Sequence, residues 1–203
     1  MPKHTFFNLP AHKREYLMEA IKQEFSRAPL YEASISNIVR LAHIPRGSFY
    51  QYFEGKEDAF YYLLNEQTKA IRKRFFSFLV SNNGDLYSTL IELFQFTLEE
   101  IARKDDIHYL KNAFIYLTHE IEDIFTKVFS DDSNQDHYEL LYQLIDKEKL
   151  NMEHEEDLYH IIQIVTSVTL RNFVEKFAHN HSIERAVGHF TKEMQLLKEG
   201  LFR

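Results

Sequence analysis

Scarcity of chain breakers is the feature that most restricts how this 203-residue chain can fold. It contains only 5 glycines and 4 prolines, the two residue types that most often interrupt regular backbone. Long helices are therefore favoured over a strand-rich fold, which needs a turn after every short strand. Hydrophobic residues make up 44% of the chain, enough to bury a core. We expect an all-α protein.

Apolar residues recur at helical spacing in the first third of the chain. A helix is predicted over residues 11–27. A short second helix follows Ser34, whose hydroxyl suits the N-cap position, and a third covers residues 45–52. A fourth begins near Lys56 and runs through residues 69–78. The second and third helices, joined by a tight break, form a helix-turn-helix pattern.

The rest of the chain is predicted to be a helical bundle. Helices are expected over residues 86–102, 118–129, 137–149, 152–177 and 182–201, with another starting at Asp105–Asp106 and a polar loop over 131–136. Acidic residues at 153 and 155–157 are placed in the first turn of the penultimate helix, where the helix dipole favours them. The apolar residues of that helix are too broadly distributed for one intramolecular contact; they are Leu158, Ile161, Ile162, Val165, Val168, Phe173 and Phe177.

One segment carries a specific motif. Its densest part is Arg46-Gly47-Ser48-Phe49-Tyr50-Gln51-Tyr52-Phe53, followed by Lys56-Glu57. This run closely resembles the helix-turn-helix of TetR-family transcriptional regulators, and the resemblance extends over about residues 10–64. It implies a homodimeric repressor that binds double-stranded operator DNA and is released by a small-molecule effector. It also implies that the last two long helices pair across a two-fold axis, which spaces two recognition helices for successive major grooves.

Each residue type in the motif has a physical role in that interpretation. Gly47 leaves room for the backbone to approach DNA, while Phe49 and Phe53 pack the short helix onto its neighbours. Base-edge contacts are expected from Arg46, Ser48 and Gln51. Phosphate contacts are expected from Ser34, Tyr50, Tyr52 and Lys56, the tyrosines and the lysine being supported by the resemblance. The competing interpretation is a small helical core in which both tyrosines are packing residues.

The turn between the second and third helices departs from the family pattern. Glycine is usual there because it adopts a left-handed backbone at little cost, and this chain has His43. Histidine tolerates a positive φ better than most residues but not freely. We expect a slightly strained or differently shaped turn.

We expect a DNA-binding domain over residues 1–60 and an effector-binding and dimerisation domain over 61–203. Residues 69–78 join the two and are the natural lever of a ligand-driven switch. The middle of the chain is rich in aromatic residues, so an apolar or amphipathic effector of unknown identity is expected. Its candidate contacts are Phe94, Gln95, Phe114, His119 and Phe125. No cofactor is predicted.

Charge is divided unevenly along the chain. The net charge is −7, yet residues 1–74 carry 12 basic against 8 acidic side chains, and the remainder carries 12 against 23. Such asymmetry is expected when only one part meets phosphate. Without cysteine, thiolate metal sites and thiol nucleophiles are excluded. The absence of a signal-like or membrane-length apolar run favours a cytoplasmic protein.

Two alternatives remain open at the level of sequence. His154, Asp157 and His160 recur at three-residue steps, and His119-Glu120 precede Asp123; such groups can ligate a metal ion in a helical enzyme. Eleven histidines produce such spacings by chance, and no phosphate loop or nucleophile motif accompanies them. The other alternative is an architectural or cell-division factor of the same fold, which also binds DNA.

Overall fold

The computed structural model describes residues 1–103, 108–116, 118–128 and 135–200, and of residues 126, 135 and 136 only the backbone. Within these ranges the regular structure is helical and no strand occurs, so the all-α prediction is confirmed. No helix of the described ranges has the length and apolar character needed to cross a membrane. The predicted helix start at Asp105–Asp106 and most of the predicted loop at 131–136 lie outside the described residues.

The helices follow one another with short connections. In chain order they are α1 (His4–Phe7), α2 (Ala11–Arg27), α3 (Ile35–Leu41), α4 (Arg46–Tyr52), α5 (Lys56–Ser81), α6 (Leu86–Arg103), α7 (Tyr109–Ile115), α8 (His119–Thr126), α9 (Gln135–Leu144), a 3₁₀ turn (Lys147–Lys149), α10 (Asp157–Ala178) and α11 (Ile183–Glu199).

The chain divides into two compact units, and the first is discontinuous in sequence. It comprises residues 1–67 and 100–121, and so contains α1 to α4 together with α7. Its core is aromatic, and the fully buried rings among its described residues include Phe6, Phe25, Phe49, Phe53, Phe60, Tyr109 and Phe114. Helix α7 docks on the end of α2, where Asn112 Nδ2 donates to the Phe25 carbonyl at 2.7 Å and the Tyr109 N–H donates to Ser26 Oγ at 3.1 Å.

The second unit comprises residues 68–99 and 122–203 and is organised on the hairpin of α10 and α11. Glu193 joins the two helices by accepting from Arg171 at 2.8 Å and from Asn172 at 2.7 Å. Phe94 of α6 packs on rings from both, with centroids 4.6 Å from Phe173 and 4.4 Å from Phe190. These contacts bury the apolar stripes of α6, α10 and α11 in one core.

Two bounds differ from the predictions. The penultimate helix begins at Asp157, not at 152, because the Asp157 carboxylate accepts the N–H groups of Glu153 and His154, both at 2.8 Å. The other three acidic residues therefore precede the helix. The predicted helix over 137–149 ends at Leu144 and is followed by the 3₁₀ turn. The short helix α1 was not predicted.

Candidate DNA-binding surface

Helices α3 and α4 form the helix-turn-helix, and α4 has a buried and an exposed side. Phe49 and Phe53 are fully buried, as predicted. Arg46, Gly47, Tyr50 and Gln51 are exposed on the same short helix, whereas Ser48 and Tyr52 are half-buried. The helix is thus fixed to the core by its aromatic residues and presents its other side to solvent.

The turn between α3 and α4 is a Schellman motif closed by a histidine. His43 has φ 53°, its N–H donates to the Arg40 carbonyl at 3.3 Å, and the Ile44 N–H donates to the Val39 carbonyl at 3.1 Å. This pair of bonds satisfies two terminal carbonyls of α3. His43 therefore occupies the left-handed position at which glycine is favoured, as the departure from the motif suggested.

A buried carboxylate from α2 holds the start of α3. Glu24 is 1% exposed; it accepts from Arg27 at 2.6 and 2.9 Å and from the Ser34 N–H at 2.7 Å. Asn37 of α3 also donates to it. Burial would raise the Glu24 pKa, but these donors outweigh it and lower the pKa below its ordinary value of 4.5. Ser34 occupies the N-cap position of α3 as predicted, but its hydroxyl makes no cap hydrogen bond.

Arg46 is held by its own protein. Its Nη1 donates to Ser36 Oγ at 2.6 Å, and its Nη2 donates to the Tyr50 hydroxyl at 3.4 Å. Ser36 on α3 and Tyr50 on α4 therefore position the guanidinium on the exposed side of the motif. Such restraint reduces the side-chain entropy that a base contact would cost. Gln51 of the same helix is also exposed.

Gly47 has no internal reason to be glycine. A Cβ built on Gly47 meets no atom within 4 Å, and the residue does not have a positive φ. Glycine inside a helix costs about 1 kcal/mol relative to alanine, and nothing in the described surroundings offsets that cost. The missing side chain keeps the surface of α4 low at this position, as an approaching backbone or phosphate requires.

Lys56 links the motif to the loop before it. Its Nζ donates to the carbonyls of Tyr31 at 2.9 Å and Ala33 at 3.1 Å. The lysine thus has a structural role, in addition to the phosphate contact predicted for it. Because Lys56 is only half-buried, it still contributes positive charge to this side of the first unit.

The N-terminal segment holds the other end of α4 and was missed by the sequence analysis. The Lys3 N–H donates to the Tyr52 carbonyl at 2.8 Å, and the Lys3 ammonium donates to the Tyr50 carbonyl at 3.0 Å. The Thr5 hydroxyl donates to the Gln51 carbonyl. These donors satisfy the last carbonyls of α4, which have no partners within the helix. Phe6 anchors the segment in the core.

Two family models match this chain, one in its N-terminal part and one in its C-terminal part. A model of the tetracyclin repressor-like C-terminal domain matches residues 85–201, more than half of the chain. A model of the bacterial regulatory proteins of the tetR family matches residues 17–61, which include the helix-turn-helix. The chain belongs to the TetR family.

Individual relatives of this TetR-family chain are distant. The transcriptional repressor NemR of Escherichia coli K12 is 27% identical over 107 residues, 53% of this chain and 52% of NemR. The chain thus matches about half the length of that relative. The HTH-type regulator YdgC of Bacillus subtilis is 36% identical over 69 residues, 34% of this chain and 35% of YdgC. The fatty acid degradation regulator FadR of Bacillus halodurans shares the fold, with a TM-score of 0.63 at 18% identity, over 93% of this chain and 99% of FadR.

The effector contacts predicted for this TetR-family chain fall into two groups. Phe94, Phe114 and Phe125 are buried, whereas Gln95 and His119 are exposed. The Gln95 amide donates to Glu99 at 2.7 Å on the same helix face. Phe94 belongs to the aromatic core of the second unit. The set stays a prediction.

The predicted histidine and carboxylate clusters have a different chemistry in the structure. Across the described ranges, no three histidine or acidic side chains are grouped so as to hold a metal ion. Asp157 instead binds two backbone N–H groups, first that of His154 and then that of Glu153, and these lower its pKa.

Proposed function

We propose that this chain is a ligand-responsive transcriptional repressor whose helix α4 enters the major groove of operator DNA. The observation that carries the proposal is the exposed side of α4, where Gly47 has no contact to make and Arg46 and Gln51 are presented to solvent. Arginine and glutamine are suited to guanine and adenine edges. Tyr50, Tyr52, Ser34 and Lys56 are proposed to contact phosphates, with Ser48 beside the bases.

Dimerisation through α10 and α11 is part of the proposal. Leu158, Ile162, Val165 and Phe173 of the predicted interface set are buried within the chain, so they stabilise its own core. The surface left for a partner includes exposed apolar side chains at Tyr159 and Ile164 of α10 and Leu196 of α11. Two copies joined there would present two α4 helices to one operator.

The proposal also includes a boundary between the two parts of the chain and a switch in which α7 takes part. The DNA-binding part is proposed to end near residue 60 and the effector part to begin at 61, with residues 69–78 as the lever. Helix α7, which donates to the backbone of α2 through Asn112, offers a second link. A ligand that favours a different placement of α7 would shift α2, and with it the helix-turn-helix. Its effector is proposed to be apolar or amphipathic.

Fluorescence anisotropy on the DNA flanking the chain's own gene tests the proposal. Binding some 10³-fold tighter than to scrambled DNA is expected, with an affinity that falls as salt rises. Equal binding to both DNAs would favour an architectural role, and no binding at low salt would contradict the proposal.

Gly47→Ala gives the sharper test because its two expected effects have opposite signs. Stability should rise by up to about 1 kcal/mol, since alanine is the better helix former, while operator affinity should fall because the methyl group holds α4 away from DNA. Urea unfolding and anisotropy measure the two. If stability and affinity fell together, Gly47 would have a structural role instead.

A further inference from the structure

A cavity of about 230 Å³ lies within the second unit. It is bounded by the start of α6, the segment after the 3₁₀ turn, and residues of α10 and α11. Its walls are mainly aliphatic and include Leu86, Leu90, Ile161, Val165, Met194 and Leu197. None of the five effector contacts predicted from the sequence lines it. An apolar space of this size is suited to a hydrocarbon group.

The polar groups around the cavity carry an excess of positive charge. Among the described residues, Lys149 and Lys198 line it together with one carboxylate, Asp85. Asp85 is already engaged, since it accepts the Ser88 N–H at 2.8 Å and pairs with Lys149 at 3.3 Å. Asp85 is therefore already paired within the chain, and it does not need the remaining positive charge at the cavity.

Lys198 is the ammonium available to a ligand. Its Nζ lies 4.6 Å from the centre of the Tyr87 ring, and no carboxylate of the described residues pairs with it. The ring contact holds the side chain beside the cavity and leaves ammonium protons free to donate. Apolar walls with an ammonium that no carboxylate of the described ranges pairs are complementary to an aliphatic chain that ends in a single negative charge.

We propose that this cavity binds a medium-chain aliphatic carboxylate, with the chain between α6, α10 and α11 and the head group at Lys198. An engineered apolar cavity of about 150 Å³ holds the six carbons of benzene, so this cavity is suited to a chain of roughly nine carbons. The inference deepens the proposed function, on which its regulatory meaning rests, by giving the effector a class and a site.

Calorimetric titration of the full chain with three ten-carbon probes tests the head group. Decanoate is expected to bind about fivefold tighter than decanol, because an exposed ion pair adds that much at most, and decyltrimethylammonium is expected to bind weakest. Equal affinities would overturn the carboxylate assignment, and no decanoate binding would overturn the site. Operator binding without ligand is measured separately, so a failure here is distinguishable from a failure of the proposed function.

Two variants locate the binding. Lys198→Met keeps the length of the side chain and removes the charge; it should weaken decanoate about fivefold and leave decanol unchanged. Lys192→Met, on the exposed side of the same helix, is the matched control and should change neither. Ile161→Trp fills the cavity and should abolish binding of both probes, with circular dichroism confirming the fold. Unchanged decanoate affinity in Ile161→Trp would place the ligand elsewhere.

A side chain from a second copy is the competing occupant, because Ile164 at the cavity is 52% exposed on α10. Sedimentation velocity separates the two. If Ile161→Trp leaves the oligomeric state unchanged while decanoate binding is lost, the cavity is a ligand site. If it dissociates the dimer and the parent chain binds no decanoate, the cavity belongs to the interface and the proposal is overturned.

Discussion

Single residues of the helix-turn-helix have conformations that their chemistry only partly favours. His43 has the left-handed backbone that Asn83 and Asn180 also adopt, with φ 51° and 49°, at the ends of α5 and α10. Asparagine is among the residues that tolerate this region best. Of these three turns, the one at His43, between α3 and α4, is therefore the most strained.

His43→Val should lower the free energy of unfolding by about 1–2 kcal/mol, because a β-branched side chain is poorly accommodated at positive φ. His43→Gly should leave it unchanged or slightly higher, as lower strain is offset by a more flexible unfolded chain. Urea denaturation of both variants checks this. Asn180→Gly is the control at an equivalent turn, and a fall in stability of His43→Gly would contradict the account.

Glu24 makes the first unit sensitive to acid. Its pKa is lowered on folding, so its contribution to stability is fully present above the ordinary value of 4.5 and is lost as the pH falls through the depressed value. Glu24→Gln should lower the free energy of unfolding by about 2 kcal/mol at neutral pH, because charge-assisted hydrogen bonds are lost. It should also make stability depend less on pH in the acid range. Unfolding midpoints from pH 7 downward measure both, and an unchanged pH dependence would assign the sensitivity to other carboxylates.

At the scale of elements, helices were predicted best where the apolar pattern extends over several turns. Helix α2 and the starts of α4 and α5 matched because their apolar stripes or flanking residues mark them clearly. Helix α1 has four residues, too few to show a period. Glu24 was overlooked because its partner Asn37 is distant in sequence, although Arg27 three residues later was a visible signal. The cavity was not predictable, since its walls come from four separate segments.

The contact between the N-terminal segment and α4 predicts that a residue outside the motif stabilises α4. Thr5→Val removes a hydroxyl donor from the last turn of α4 without changing the size of the side chain. About 1 kcal/mol of local stability should be lost, with faster amide exchange at residues 49–53. Hydrogen-exchange mass spectrometry measures this, and Thr191→Val, on α11, is a control that should leave α4 unchanged. Unaltered exchange in Thr5→Val would mean that α4 needs no such support.

At the scale of the whole molecule, the proposed DNA-binding and dimerisation surfaces belong to different parts of the chain. The basic excess lies in residues 1–74, whereas the apolar side chains proposed for the dimer interface are Tyr159 and Ile164 of α10 and Leu196 of α11. In the proposed dimer, weak half-site contacts would be multiplied, because the second DNA-binding head would bind at a high effective concentration once the first is docked. Operator affinity should therefore depend on residues that never touch DNA.

Leu196→Asp tests that dependence. A carboxylate buried at the proposed interface should weaken dimerisation at least about tenfold and lower operator affinity with it, while each chain stays folded. Val80→Asp changes an aliphatic residue that is 59% exposed on α5 and is the control. Sedimentation velocity and anisotropy measure both. If the Leu196→Asp dimer remained intact, the interface would lie on another surface.

The discontinuity of the first unit affects how such regulators can be recombined. A chimera cut once near residue 60 would transplant α1 to α4 without α7, and would leave the end of α2 bare where Asn112 and Tyr109 now bind it. A transplanted helix-turn-helix unit that also carries residues 100–121 should keep its native packing when it is joined to the C-terminal part of a relative. A chimera made at a single crossover should therefore fold only when the relative that supplies the C-terminal part has an equivalent of α7 that fits α2. This limits the number of C-terminal parts that can be combined with a given helix-turn-helix.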